Sequence, residues 1–130
     1  MASELVWAIE TIPDTDSVFM RAHFQYFRNG ELQPGVFRTQ DDGMSVNWDR
    51  YASAEETKQQ ASKNPDDNAV IKMPVADIRG IAGLKVKHIP EPANRAHSNV
   101  HGLPESHEQR TEVRVLLLRI TEIVIPLSLQ

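Results

Sequence analysis

Along residues 17–27 apolar and polar positions alternate, with Val18, Met20, Ala22, Phe24 and Tyr26 on one side and Phe19, Arg21, His23, Gln25 and Phe27 on the other. That period of two predicts a strand with Val18, Met20, Ala22, Phe24 and Tyr26 turned to a core. Asn29-Gly30 follows, a pair suited to the left-handed geometry of a hairpin turn, and Pro34-Gly35 marks a second turn before Val36, Phe37 and Arg38. Beyond an acidic turn at Asp41, Asp42 and Gly43, the positions Met44, Val46 and Trp48 share one side of a further half-buried strand. Ser53 stands three residues ahead of Glu56, the spacing of a capping box. This predicts a helix over 54–63, largely polar and therefore at the surface, ended by Asn64-Pro65.

Residues 69–73 read as a short buried strand, after which Pro74 opens a helical turn through Ile78 that Gly80 and Gly83 close. Leu84, Val86 and His88 alternate with Lys85, Lys87 and Ile89, a strand that ends at Pro90. Ser106 and Gln109 again have capping spacing, and Val113, Leu116, Leu117 and Ile120 recur on one helical face. A helix over 106–119 packed on a sheet follows from that stripe. Ile123, Val124 and Ile125 form a terminal apolar strand, and such an edge offers a route to a homodimer across a two-fold axis. The sum is an α+β single domain of 130 residues, with about five strands in a mixed or antiparallel sheet.

Composition narrows the picture. Apolar residues make up 40% and charged residues 25%, as in an ordinary globular domain. Cysteine is absent, which excludes disulfides, thiolate nucleophiles and cysteine zinc sites. Glu4 stands where a secretion signal needs positive charge, and no apolar run approaches the ~20 residues of a membrane span, so a cytosolic protein with no membrane partner is expected. The net charge of −4 argues against broad nucleic-acid binding. It also conceals an asymmetry: seven acids oppose three bases over 39–68, whereas seven bases oppose four acids over 79–119.

Two polar constellations are candidates for a site. Arg21, His23 and Gln25, on alternate strand positions between Phe19 and Phe27, offer a guanidinium fork for phosphate or carboxylate, an imidazole that moves protons near neutrality, and rings for stacking. The segment carrying Arg95, His97 and His101 is the second; three of the five histidines lie between His97 and His107. His97 and His101 would share one helical face, but Ser98 stands where a zinc protease carries glutamate, and Pro92 and Asn94 oppose a long helix there. No metal and no cofactor are therefore expected. The paired acids Asp41-Asp42, Glu55-Glu56 and Asp66-Asp67 sit at turns or helix starts, where carboxylates cap N–H groups. Neither a phosphate-cradling glycine loop nor a Gly-x-Ser-x-Gly elbow occurs; Ser45 follows Gly43-Met44, half of that elbow.

Arg21 or His23 on one strand, Ser45 on a later one, and a glutamate among Glu105, Glu108 and Glu112 toward the C-terminus give an order that resembles ADP-ribosyltransferase-like enzymes. That resemblance implies a small enzyme acting on a nucleotide-like or phosphorylated substrate, although the family presents its glutamate from a strand rather than a helix. The strings Gly43-Met-Ser-Val-Asn-Trp48, Ser53-Ala-Glu-Glu56 and Asn94-Arg-Ala-His97 with Gly102 are similar to elements of small uncharacterised bacterial proteins, which implies a bacterial source and lends the chain no particular activity. Because polar groups cluster without a complete catalytic set, the leading expectation is a non-catalytic binding or accessory module. It would recognise a protein or anionic partner through Arg21, His23, Gln25, Arg95, His97 and His101.

Overall fold

β1 (Ser17–His23) runs through the middle of the structure and pairs antiparallel with β4 (Met44–Trp48) on one side and β5 (Asn68–Pro74) on the other. The computed structural model describes residues 6–38 and 43–128; the acidic turn at Asp41 and Asp42 lies outside the described residues. β2 (Phe27–Arg28) and β3 (Glu31–Leu32) form a small separate hairpin. Its turn uses Asn29 at φ 53° and Gly30 at φ 80°, the left-handed pair that the Asn-Gly dipeptide favours. β6 (Lys85–His88), β7 (His97–His101) and β8 (Glu122–Ile125) complete a sheet in the order β6-β7-β4-β1-β5-β8. Among the described residues this sheet has six strands rather than about five, and every pairing is antiparallel.

Pleating divides the sheet into two unlike faces. Val18, Met20, Ala22, Met44, Val46, Trp48, Ile71, Met73, Val86 and Val100 are buried on the first, with Val75 and Ile78 of α2 (Val75–Arg79) and Val113 and Leu117 of α3 (His107–Arg119) packed among them. The second face carries Phe19, Arg21 and His23 of β1, Ser45 and Asn47 of β4, and His97, Asn99 and His101 of β7. It is partly covered by α1 (Ala54–Gln59), whose Thr57 hydroxyl accepts from the Asn47 side chain at 3.0 Å. α1 packs on β1, β5 and β8; on the β4–β7 half of this face Ser45 is exposed and His97 and His101 are half-buried, while Asn47 and Asn99 are buried.

Where structure departs from the sequence reading, local hydrogen bonds explain it. β1 ends at His23, four residues early, because the His23 Nδ1 accepts from the Gln25 N–H at 3.2 Å and caps a one-turn 3-10 helix at Phe24–Tyr26. Phe24 is consequently 54% exposed rather than in the core, and Gln25 no longer shares a strand face with Arg21 and His23. The capping box of Ser53 and Glu56 forms as expected, yet α1 stops at Gln59. Asn64 then caps a separate turn at Pro65–Asp67 instead of ending the first helix. In α3, capped by Ser106, Val113 and Leu117 are buried while Leu116 is 40% exposed, so its apolar stripe is narrower than the sequence indicated. Residues 97–101 are a strand, which places the four-residue spacing of His97 and His101 about 13 Å apart along β7 rather than on one helical turn. Among the described residues, none of the helices is long and apolar enough to cross a membrane.

Candidate functional site

A cleft of about 390 Å³ opens beside α1 on the second sheet face. Its floor is Phe19 and Arg21 from β1, Ser45 and Asn47 from β4, and His97 from β7. One wall is α1, through Thr57 and Gln60; the other is the 89–96 connection, through Glu91, Ala93 and Asn94. That connection rises from the sheet because Glu91 and Asn94 exchange backbone hydrogen bonds at 3.0 and 2.9 Å around Pro92-Ala93. Three side-chain amides tie the parts together. Asn47 Nδ2 donates to Gln60 Oε1 at 2.9 Å, and Asn94 Nδ2 donates to Asn47 Oδ1 at 2.8 Å.

The strand register delivers the floor. Asn47 is paired with His97 and Ser45 with Asn99, so Ser45 lies diagonal to His97. Gly43, at φ 100°, admits this close approach: a Cβ there would meet the Val100 carbonyl oxygen at 2.5 Å, so a side chain would push β4 off β7. The Ser45 hydroxyl lies 3.2 Å from His97 Nε2, and His97 Nδ1 lies 2.7 Å from the Ile89 carbonyl oxygen. A carbonyl oxygen only accepts, so Nδ1 carries a proton. That leaves Nε2 of the neutral ring to accept from Ser45.

Arg21 Nη1 donates to the Thr57 carbonyl at 2.8 Å, one of the last carbonyls of α1 that the helix itself leaves unpaired. This is its one hydrogen bond among the described residues, and no carboxylate pairs with it there. Arg21 is half-buried, and burial pulls its pKa below the usual value, although a guanidinium stays charged at neutral pH. A hollow of about 220 Å³ adjoins the cleft and shares Arg21 and Ser45 with it; His23, Tyr26 and Arg38 line its other sides. Arg38 donates to the Tyr26 hydroxyl at 2.9 Å. Among the described residues the charged groups lining cleft and hollow are Arg21, Arg38 and Glu91. The acid at the site among the described residues is thus Glu91, whereas Glu105, Glu108 and Glu112 lie at or within α3, outside it.

Of the residues singled out from sequence, Arg21 and His97 meet in the cleft, and His23 lines the adjoining hollow. Gln25, Arg95 and His101 line neither. His101 pairs across the sheet with Lys85; burial, then Lys87 and Lys85, lower its pKa. Arg95 packs elsewhere, its guanidinium 4.0 Å from the Tyr51 ring centre and 4.6 Å from that of Trp7, with Glu10 at 3.7 Å. The segment from Arg95 to His101 therefore divides between the two sheet faces instead of presenting one contact surface. Asn47, Thr57, Gln60, Asn94 and Arg38 were not singled out from sequence. The signal for Asn47 was available, since it and Ser45 alternate with the buried Met44, Val46 and Trp48. Among the described residues no group of three His, Asp or Glu is placed to hold a metal ion. No protein-family model, curated protein or solved structure matches the chain.

Proposed function

We propose that this domain binds a small anionic molecule, phosphorylated or nucleotide-like, in the cleft between α1 and the 89–96 connection. One observation carries the reading: Arg21 is a half-buried cation with a single carbonyl partner and no carboxylate among the described residues, and it borders both the cleft and the adjoining hollow. A partly desolvated charge of this kind is favourable when an anion supplies the missing counter-charge, and a guanidinium presents paired N–H groups to phosphate or carboxylate. Arg38 adds a second positive group on the hollow side, and the Phe19 ring on the floor supplies a flat apolar surface for a base or sugar. Binding of this type needs no catalysis.

The test is a thermal-shift and calorimetry panel of nucleoside mono- and diphosphates, a dinucleotide of the NAD type and sugar phosphates. At a hundredfold excess over Kd a ligand stabilises the folded state by about 2.7 kcal/mol, so Tm rises by several degrees. The shift shrinks with added salt and disappears in Arg21→Ala. Absence of any shift, or a shift undiminished in Arg21→Ala, overturns the assignment.

A further inference from the structure

We infer that Ser45 is a nucleophile activated by His97, and that the cleft performs acyl transfer from an ester to Ser45 and then to water. The inference rests on the proposed cleft for its substrate's negative charge, whereas the nucleophile rests on its own geometry. Three conditions of an activated serine coincide here. The hydroxyl and the imidazole Nε2 are 3.2 Å apart, within reach of the proton transfer a general base performs, apo geometries commonly being loose. The far ring nitrogen is held by the Ile89 carbonyl at 2.7 Å, which fixes both the tautomer and the plane of the ring. An orienting acceptor is the third element of a serine–histidine arrangement, and here a backbone carbonyl fills the position that a carboxylate holds elsewhere. Finally, Ser45 is exposed and lies on the floor of a cleft spacious enough for an acyl group, with a guanidinium on the same floor.

Ser98, next to His97 in the chain, shows the contrast. Its hydroxyl is buried on the other sheet face and donates to the Ala96 carbonyl at 3.0 Å, so it has neither a base nor access.

The reaction balances with ester and water alone. Ser45 Oγ forms a bond to the ester carbonyl carbon while its proton passes to His97 Nε2, and the carbonyl electron pair becomes an oxyanion that the Arg21 guanidinium stabilises. Collapse restores the carbonyl and breaks the bond to the alcohol oxygen, which leaves with the proton from His97. Water then gives a proton to the same Nε2 and attacks acyl-Ser45. Ser45 recovers that proton as the carboxylic acid departs. Arg21 selects esters whose acyl or alcohol part carries a negative charge.

The test is covalent labelling of the full chain with a fluorophosphonate, which phosphonylates the serine oxygen and releases fluoride, followed by intact-mass measurement and peptide mapping. One adduct is expected, on Ser45. Ser45→Ala should take none, and Ser62→Ala should label as the parent does. His97→Gln should label about 10²-fold more slowly or less, with its thermal unfolding measured alongside to show that it is folded. A p-nitrophenyl ester of succinic acid should be hydrolysed by the parent and not by Ser45→Ala. Absence of a Ser45 adduct, or labelling of folded His97→Gln at the parental rate, overturns the inference. If the nucleotide and phosphosugar panel binds through Arg21 while Ser45 stays unlabelled, the nucleophile falls and the binding reading stands. If Ser45 labels through His97 while no anion binds, the nucleophile stands and the anion reading falls.

Discussion

The cleft and the cluster around His88 use the same residue types and differ in where their histidines' hydrogen bonds go. His88 is buried, its ring edge-on to Trp48 at 5.1 Å. Its Nδ1 accepts from the Glu10 N–H at 3.0 Å, and its Nε2 meets the Arg95 carbonyl at 2.7 Å. Nearby, Tyr51 donates to Glu10 at 2.6 Å, and the Arg95 guanidinium lies over two rings beside the same carboxylate. Both nitrogens of His88 are consumed by the backbone, so the cluster fastens the N-terminal segment and the 89–96 connection to the sheet. His97 spends one nitrogen on the backbone and the other on a hydroxyl at the solvent boundary. Arg21 likewise has a carbonyl where Arg95 has two rings and a carboxylate. The His88 cluster is fastened through its histidine, although the buried Trp7 Nε1 and Arg95 Nε have no hydrogen-bond partner among the described residues, whereas the cleft places its histidine's second bond on an exposed hydroxyl.

That contrast is broken most severely from the fastening side. Trp48 is 1% exposed, packs against Tyr51 and His88, and donates from its indole to Asp16 at 2.8 Å. Trp48→Ala should cost about 3–5 kcal/mol in denaturant unfolding, and a loss under 1 kcal/mol would show that the cluster contributes little to folding. His88→Ala is next: it strands the Glu10 N–H and the Arg95 carbonyl and should cost about 1–3 kcal/mol. Anion affinity per folded molecule should be unchanged. A parallel loss of affinity at unaltered fold would mean that the two regions act as one.

The cleft should respond in the opposite sense. Arg21→Ala loses one charged hydrogen bond to a carbonyl that water can then reach, about 1.5 kcal/mol, and Ser45→Ala should stay within about 0.5 kcal/mol because the hydroxyl is exposed. Large destabilisation by Ser45→Ala in urea titrations would turn the cleft into a second fastening. The smallest effect is acidic. The Tyr51 hydrogen bond holds the Glu10 carboxyl below its ordinary pKa of 4.5; burial opposes this, and Arg50 and Arg95 support it. Since the folded-state pKa is the lower one, the unfolded chain takes up the proton first. The contribution is present above about pH 4.5 and lost as pH falls through the folded value. The stability gap between the parent and Glu10→Gln should narrow on acidification below that pH, and a gap that stays constant would remove Glu10 from the fastening.

Much of the framework was legible locally. The alternation of Met44, Val46 and Trp48, the Ser53–Glu56 box and the Ser106 cap each concern neighbours in sequence, and each forms. Phe24 and Gln25 were misplaced because a side-chain cap from His23 diverts the chain from the strand, and period-two counting is blind to such a bond. The cleft was only half visible. Arg21 and His97 stand out as residue types, but their meeting with Ser45 depends on β4 lying between β1 and β7 and on the pairing of Asn47 with His97, 50 positions apart. Periodicity within a segment says nothing of which strand lies beside which. Arg95 and His101 looked equivalent to His97 for the same reason, but Arg95 precedes β7 and packs on Tyr51 and Trp7, while His101 shares the face of His97 at the far end of the strand, opposite Lys85.

The carboxamides of Asn47, Gln60 and Asn94 brace the cleft without carrying charge. The electric field inside is thereby left to the ionic groups that line it. Asn47→Asp would put a carboxylate oxygen where Asn47 Nδ2 now donates to Gln60 Oε1 and Thr57 Oγ1, so it would unfasten the brace as well as add a negative charge. Polarity and architecture are therefore locked together at this position, where an exchange that adds charge also removes a donor the walls are hung on.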